Sequence, residues 1–134
     1  MIESLFDRGS MPALDALLKY AGARHRAIAG NIANVDTVGY RTLDVPVASF
    51  DRAMARAFED QKASPTGVFQ MSDDTLGLAP SGDAGTLKPT GNNVDLDLEM
   101  AKMVRNQSLY ATAAALLAQQ FSMMREAISG HVTA

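Results

Sequence analysis

The sequence predicts a mainly α-helical protein in which two long terminal helices form an antiparallel coiled-coil pair. Apolar residues recur at helical spacing at both ends of the chain, and the segment between them is rich in Gly, Pro, Ser, Thr and Asp. Of the 134 residues, 47% are hydrophobic but only 6% are aromatic, so the packing is expected to be mostly aliphatic. We expect a single domain over residues 1–134, with an N-terminal helix and turn (11–40), a middle segment (41–92) and a C-terminal helix (93–130).

The N-terminal helix is predicted over residues 11–34. Ser10 is placed to cap it, and Pro12 suits a first turn, where the missing N–H costs nothing. The apolar pattern is interrupted at Arg24 and His25, where we expect a more polar neighbour. Arg24 is assigned to the outward face of the helix. The apolar stripe consists of Leu14, Leu17, Leu18, Ala21, Ile28 and Ile32, and Val35 continues its spacing.

The C-terminal helix is predicted to begin after Asn93 or Asp95, either of which can cap it, and to end at Gly130. Its apolar residues alternate at spacings of four and three, which is typical of a coiled coil, and only Gln107 is polar. This apolar seam is Leu96, Met100, Met103, Gln107, Tyr110, Ala114, Leu117, Phe121, Met124 and Ile128. A second apolar edge follows Leu109, Ala113, Leu116 and Met123. Either neighbouring subunits or the middle helix cover this second edge, and the pattern leaves both open.

The middle segment is predicted to begin with a short helix over residues 46–62. Residues 63–92 have the composition of an irregular loop in which a weak strand could form at residues 67–71. A loop of this length is unusual in a compact domain. It is either mobile or held from outside the chain, and neighbouring subunits are candidates to hold it.

Composition points to a structural assembly protein and not to an enzyme. The net charge of −3 argues against nucleic-acid binding, and the absence of Cys excludes disulfides and cysteine metal sites. We predict no catalytic, metal, cofactor or small-molecule site. His25 and His131, the two histidines, are assigned to packing or surface roles. Residues 1–10 lack the pattern of a secretory signal, and no apolar run has the roughly 20 residues that span a bilayer.

The segment after the first helix has the composition of a helix end followed by a tight turn. Asn34 can adopt a left-handed conformation at the helix end, and Gly39 permits a backbone conformation closed to other residues. Tyr40 can fold back onto the helix with its hydroxyl outward. The motif residues are Asn31, Ile32, Ala33, Asn34, Thr37, Gly39 and Tyr40.

This turn motif resembles the signature of the bacterial flagellar axial proteins, which the seven residues and Arg41 fill without departure. A second motif, at the start of the C-terminal helix, is similar to the corresponding element of the rod proteins: Asn93, Val94, Asp95, Leu96, Glu99 and Met100. The chain therefore resembles the flagellar basal-body rod protein family, and within it one of the two short proximal rod proteins. The other short proximal rod protein and, from a different class, an intracellular coiled-coil adaptor remain the alternatives.

The resemblance implies a structural subunit of the proximal rod, exported by the flagellar type III system without a cleaved signal peptide. Such subunits assemble helically in the periplasm into the hollow drive shaft that transmits torque and carries the export channel. The implied partners are copies of the same chain, other rod proteins, the rod–ring adaptor, the export gate and the MS ring. The residues expected at the assembly seam are Leu14, Leu17, Leu18, Ala21, Ile28, Ile32, Met103, Tyr110, Ala114, Leu117, Phe121, Met124 and Ile128.

Overall fold

A computed structural model describes residues 10–130 of the chain, apart from the side chain of Asp73. His131 and residues 1–9 lie outside this described range. The described residues form three α-helices: α1 (Met11–Ala33), α2 (Val47–Ala63) and α3 (Leu96–Ser129). Strands β1 (Leu43–Asp44) and β2 (Ala79–Pro80) pair antiparallel, and a 3₁₀ turn spans Asp73–Leu76. The mainly helical fold class, with long terminal helices and a short middle helix, is confirmed.

The strand expected at residues 67–71 is wrong, because the short strand pair forms between residues 43–44 and 79–80. Phe69, in the middle of this segment, is only 7% exposed because its side chain packs in an apolar cluster with Ala13, Ala16 and Ala57. Packing against helices, and not pairing with another strand, therefore accounts for the apolar character of this segment.

The ends of the long helices follow local signals. Asp95, one of the two predicted caps, begins α3, and its Oδ1 accepts a hydrogen bond from the backbone N–H of Leu98 at 3.1 Å. Gly130 ends α3 with φ of 65°, as predicted from its position. Pro12 lies in the first turn of α1, but Ser10 caps this helix by position only, since its side chain makes no capping hydrogen bond.

Helices α1 and α3 pack antiparallel. Asn31 at the end of α1 contacts Glu99 in the first turn of α3, and the carbonyl of Ala21 accepts a 2.8 Å hydrogen bond from Asn106 Nδ2. The 34 residues of α3 span roughly 50 Å, whereas the 23 residues of α1 span roughly 35 Å. Helix α3 therefore extends well beyond the first described turn of α1.

The second apolar edge of α3 has two different surroundings. Leu109 is half-buried against an apolar cluster that contains Tyr20, and Ala113 is 1% exposed. Leu116 and Met123, by contrast, are each 46% exposed. The alternative in which the middle helix covers this whole edge is therefore wrong.

Helix α2 instead packs on α1, together with the residues around β1. The rings of Tyr20 and Phe50 stack with their centroids 4.1 Å apart, in a cluster that includes Val45. Arg24 makes hydrogen bonds of 2.9 Å to both carboxylate oxygens of Asp44, and its side chain is only 18% exposed. The assignment of Arg24 to the outward face is thus wrong, because its polar neighbour lies in the same chain.

The long loop is held by the chain itself. The backbone N–H of Ser81 donates to the carbonyl of Thr42 at 2.9 Å, and the N–H of Thr42 donates to Asn93 Oδ1 at 2.7 Å. At Gly85 the loop approaches the start of α3 so closely that a Cβ would lie 2.7 Å from the Cβ of Asp95. These contacts correct the expectation that residues 63–92 are either mobile or held from outside the chain.

We expect Gly85→Ala to lower the free energy of unfolding by about 1–3 kcal/mol, because the added methyl has no space beside Asp95. Gly82→Ala is the matched control, since a Cβ there meets nothing within 4 Å and neither glycine has positive φ. Chemical denaturation followed by circular dichroism measures both. Equal midpoints for the two variants would show that the loop does not dock closely on α3.

Candidate functional site

The two motifs recognised in the sequence lie side by side in the structure. The N–H of Gly39, in the turn after α1, donates to the carbonyl of Thr90 at 2.9 Å. Gly39 has φ of 74°, the conformation closed to other residues, and Gly91 has φ of 78°. A Cβ on Gly91 would lie 3.4 Å from the Cα of Gly39, so the two turns approach each other at their backbones.

Asn92 joins the paired turns through its side chain. Its Nδ2 donates to the carbonyls of Asn34 and Thr37 at 2.9 and 2.8 Å, and its Oδ1 accepts from the N–H of Val94 at 2.8 Å. Asn92 is 1% exposed, so this amide replaces water as the partner of carbonyls at the end of α1. The turn after α1 and the turn before α3 therefore form one hydrogen-bonded unit.

Asn31 lies at the centre of the site and is fully buried. Its Nδ2 donates to the carbonyl of Leu43 at 2.7 Å and to Glu99 Oε2 at 2.8 Å. Its Oδ1 accepts from the N–H of Leu43 and from the hydroxyl of Tyr40, both at 3.0 Å. These four bonds use every donor and acceptor of the amide. Asn31 thus connects α1, the turn, β1 and α3.

Glu99 and Lys102 continue this network along α3. Glu99 is 1% exposed and Lys102 is 6% exposed, and Lys102 Nζ lies 2.8 Å from Glu99 Oε1 and 2.7 Å from Asp83 Oδ1. Burial alone would lower the pKa of Lys102, but the hydrogen bonds to Asp83 and Glu99 outweigh it and raise the pKa. Burial acts to raise the pKa of Asp83, and hydrogen bonds from Lys102 and Ser81 lower it below its ordinary value.

Two predictions about the turn are wrong. Asn34 has φ of −107°, and within residues 10–130 positive φ occurs at glycines alone. Its Nδ2 instead donates to the carbonyl of Gly30 at 2.8 Å, which satisfies a helix-end carbonyl without a left-handed residue. The hydroxyl of Tyr40 points inward to Asn31, and burial together with the charge of Glu99 raises the pKa of Tyr40. The tyrosine therefore remains a donor in the network.

The other motif residues divide between buried anchors and exposed positions. Asn93 holds Thr42 through its side chain and its backbone carbonyl, and Val94 is 1% exposed. At the start of α3, Leu96 and Met100 are 41% and 55% exposed. Ile32 is half-buried at the end of α1, and Ala33 is exposed.

Much of the apolar seam of α3 remains exposed beside α1. Tyr110 is 49% exposed and Ile128 is 71% exposed, and Phe121 is 44% exposed. The half-buried members are Met103, Ala114, Leu117 and Met124. The buried face of α3 lies about a quarter of a helical turn away. It begins with three polar residues, which we call the polar line, and continues with Leu109 and Ala113. The polar line is Glu99, Lys102 and Asn106.

The apolar stripe of α1, by contrast, lies mostly within the chain. Ala21 and Ile28 are both 0% exposed. The half-buried members are Leu14, Leu17, Leu18 and Ile32. A groove between the two helices is lined by Tyr110 of α3 and by the exposed His25 of α1. The α1 half of the predicted assembly seam therefore lies mostly within the chain, whereas the α3 half combines exposed residues with half-buried ones.

Reasoning from the sequence missed Asn92, Lys102 and Asn106 as site residues. Lys102 and Asn106 follow Glu99 at spacings of three and four, so the three polar residues share one face of α3. That spacing was an available signal, but the longer apolar seam beside it dominated the pattern.

Metal clusters and membrane-spanning helices were sought among the residues that the structure describes. Residues 10–130 contain no group of three or more His, Cys, Asp or Glu side chains that could hold a metal ion. None of the helices in that range combines the length and apolar character that crossing a membrane requires.

Comparison with known proteins identifies the family. The flagellar basal body rod protein FlgB of Bacillus subtilis is 29% identical over 128 residues, covering 95% of this chain and 98% of that protein. FlgB of Borrelia hermsii is 32% identical over 110 residues, covering 73% of this chain and 79% of that protein. FlgB of Borreliella burgdorferi is 28% identical over 99 residues, 65% of this chain and 71% of that protein.

The chain belongs to the FlgB family of flagellar basal body rod proteins. The resemblance inferred from the two motifs is confirmed. Because all three relatives are FlgB proteins, neither the other short proximal rod protein nor an intracellular coiled-coil adaptor is favoured. No protein-family model matches the sequence.

We expect Asn31→Ala in this FlgB-family chain to lower the free energy of unfolding by about 3 kcal/mol or more, because it leaves buried partners without hydrogen bonds. Asn34→Ala is the control, since it removes a similar amide from a half-buried position and should cost about 1 kcal/mol. Urea denaturation of the two variants gives the comparison. Similar losses would mean that Asn31 has no special role in joining the elements.

Asp83 and Lys102 give the protein opposite pH dependences. The pKa of Asp83 is lowered by folding, so its stabilising contribution is present above about pH 4 and is lost as the pH falls through the lowered pKa. The pKa of Lys102 is raised, so its contribution is present below about pH 10.4 and is lost as the pH rises through the raised pKa.

Asp83→Asn should therefore flatten the acid side of a plot of denaturation midpoint against pH, and at neutral pH it should lower the midpoint slightly. Asp36→Asn, which removes the same charge from an exposed position in the turn, is the control. If both variants keep the slope of the parent protein below pH 4, the Asp83–Lys102 pair does not contribute to folding.

Proposed function

We propose that this FlgB-family chain is a structural subunit of the flagellar basal body rod and that the exposed seam of α3 is its main assembly surface. The observation that carries the proposal is the orientation of α3. This helix contacts its own chain through the polar line together with Leu109 and Ala113. It exposes large apolar residues elsewhere on its surface, among them Leu96, Met100, Val104, Tyr110 and Ile128. A row of exposed apolar side chains on a long helix is typical of a protein interface.

Burial of the seam supplies the driving force for assembly. Each 100 Å² of apolar surface removed from water contributes about 2.5 kcal/mol before the opposing terms are counted. Those terms are the lost freedom of the subunit and the ordering of side chains at the interface. An interface that follows most of the roughly 50 Å length of α3 is large enough to exceed them.

The paired turns give the subunit a mechanical role that suits a rod. Asn31, Asn92 and Glu99 connect the end of α1 to the start of α3 through buried hydrogen bonds. A force applied to one terminal helix is therefore passed to the other through the site, without bending an unsupported loop. This property fits a subunit of a shaft that transmits torque around an export channel.

The partners follow from the rod assignment. We propose that the seam binds copies of this chain and other rod proteins, and that the rod–ring adaptor, the export gate and the MS ring are the neighbours at the boundaries of the assembly. We also propose export by the flagellar type III system and a final location in the periplasmic part of the basal body. The family membership supports these assignments.

Met100→Glu tests the seam. Met100 is 55% exposed, so the charge should leave the folded monomer unchanged while it prevents burial against a neighbour. Ala101→Glu is the matched control, since it adds the same charge at the next exposed position on another face of α3. Each variant is produced in a strain that lacks the native gene, and swimming motility and basal bodies are examined.

We expect loss of motility and of completed rods with Met100→Glu, and near-normal rods with Ala101→Glu. Circular dichroism of the purified proteins should give the same helix content for both variants. Motile cells with normal basal bodies in the Met100→Glu strain would contradict the proposed use of the seam.

A further inference from the structure

The orientation of α3 buries polar residues that apolar burial alone would leave in solvent. The first half of its buried face carries Glu99, Lys102 and Asn106, which are 1%, 6% and 3% exposed, before the apolar Leu109 and Ala113 continue it. The apolar seam lies about a quarter of a helical turn away and is only partly covered, with Met100, Tyr110, Phe121 and Ile128 all exposed. An amphipathic helix normally buries its apolar face and exposes its charges.

The surface of α1 that contacts α3 is largely apolar and does not require polar residues on α3. Its contact residues Ala21 and Ile28 are apolar and fully buried, and they would accept the apolar seam of α3. The polar groups that α1 offers to α3 are the amide of Asn31 and the backbone carbonyl of Ala21. These two groups coincide with the ends of the polar line.

Each member of the polar line has partners that exist only in the observed orientation. Glu99 accepts a hydrogen bond from Asn31, and Asn106 donates to the carbonyl of Ala21, each at 2.8 Å. Lys102 reaches Asp83 in the loop at 2.7 Å. Rotation of α3 by a quarter turn would separate all three from these partners. Removing the partner of a buried charge is strongly unfavourable, so the polar line penalises the rotated state.

Asn106 is only partly satisfied in this contact. Its Nδ2 is bonded to Ala21, but its Oδ1 is buried without a hydrogen-bond partner within the described residues. A single buried asparagine between helices is a known device that selects one arrangement at a cost in stability. The same trade between stability and orientation is present here.

We propose that Glu99, Lys102 and Asn106 determine the rotation of α3 about its axis and so keep the apolar seam outward for a second copy of this chain. The rotation is a property of the single chain, whereas the use of the exposed seam rests on the proposed function. We expect a second copy of this chain to bind the exposed seam, because its α3 has the same apolar seam and two such seams can pair.

Thiol accessibility in the purified protein tests the rotation. The chain has no Cys, so single cysteines can be introduced as reporters. Met100→Cys places a thiol on the seam at a position that is 55% exposed, and Ala113→Cys places one on the buried face at a position that is 1% exposed. In the parent protein we expect the Met100→Cys thiol to react with a maleimide at least tenfold faster than the Ala113→Cys thiol.

The same reporters are then combined with Glu99→Ala, Lys102→Ala and Asn106→Ala. We expect the order of reactivity to reverse, because without polar partners α3 turns its seam toward α1. The control combines Arg105→Ala, Ser108→Ala and Thr112→Ala, three exposed positions on the opposite face, and should keep the parent order. Glu99→Gln, which retains an oxygen acceptor for Asn31, should also keep it.

An unchanged order in the folded triple variant would overturn the proposal. If circular dichroism shows that the triple variant is unfolded, the double variant Lys102→Ala and Asn106→Ala is used in its place. A Met100→Cys to Ala113→Cys ratio of reaction rates that is smaller than in the parent protein, or reversed, supports the proposal. The same ratio as in the parent protein overturns it. Rod assembly in cells separates this proposal from the proposed function. Reversed thiol order with normal rods would leave the rotation established and contradict the seam as the assembly surface.

Discussion

The fold is organised around the buried amide of Asn31. This amide contacts the turn at Tyr40, strand β1 and helix α3 from its place on α1, and all of its hydrogen-bonding capacity is used. Glu99 needs this partner because a buried carboxylate without hydrogen bonds is unfavourable. Lys102 in turn is buried beside Glu99 and reaches the loop at Asp83. A chain of polar contacts therefore begins at Asn31 and ends in the middle segment.

This polar chain explains how a small protein can have a defined fold and still expose much apolar surface. Hydrogen bonds supply part of the contact between α1 and α3, while many large side chains of α3, such as Met100, Tyr110 and Ile128, stay exposed. Such a subunit is specific in its internal arrangement and retains a driving force for association. A rod subunit needs both properties, since it must present the same surface in every copy and bind firmly once it is in place.

Local sequence signals predicted the helices and their ends well, because Asp95 and Gly130 act on backbone groups within four residues. The motifs also identified the family. The periodicity did not indicate which element each helix face contacts. The seam of α3 is an apolar stripe, but the face of α3 that packs within the chain includes the polar line. Asn92 bonds residues more than 50 positions away, and the strand pair joins residues 43–44 to 79–80. Contacts of that range leave no local signal. The predictions for Asn34 and Tyr40 were wrong for a related reason. Asn34 bonds the Gly30 carbonyl through its side chain without a left-handed backbone, and the Tyr40 hydroxyl bonds Asn31 and does not point outward.

A map of the assembled rod by electron cryomicroscopy tests the central claim most directly. We expect each subunit to keep its own α1 and α3 paired through Asn31 and Glu99, with Met100 and Tyr110 buried against a neighbouring subunit. A map in which the seam of α3 is packed on α1 of the same subunit, with the polar line facing a neighbour or the channel, would contradict it.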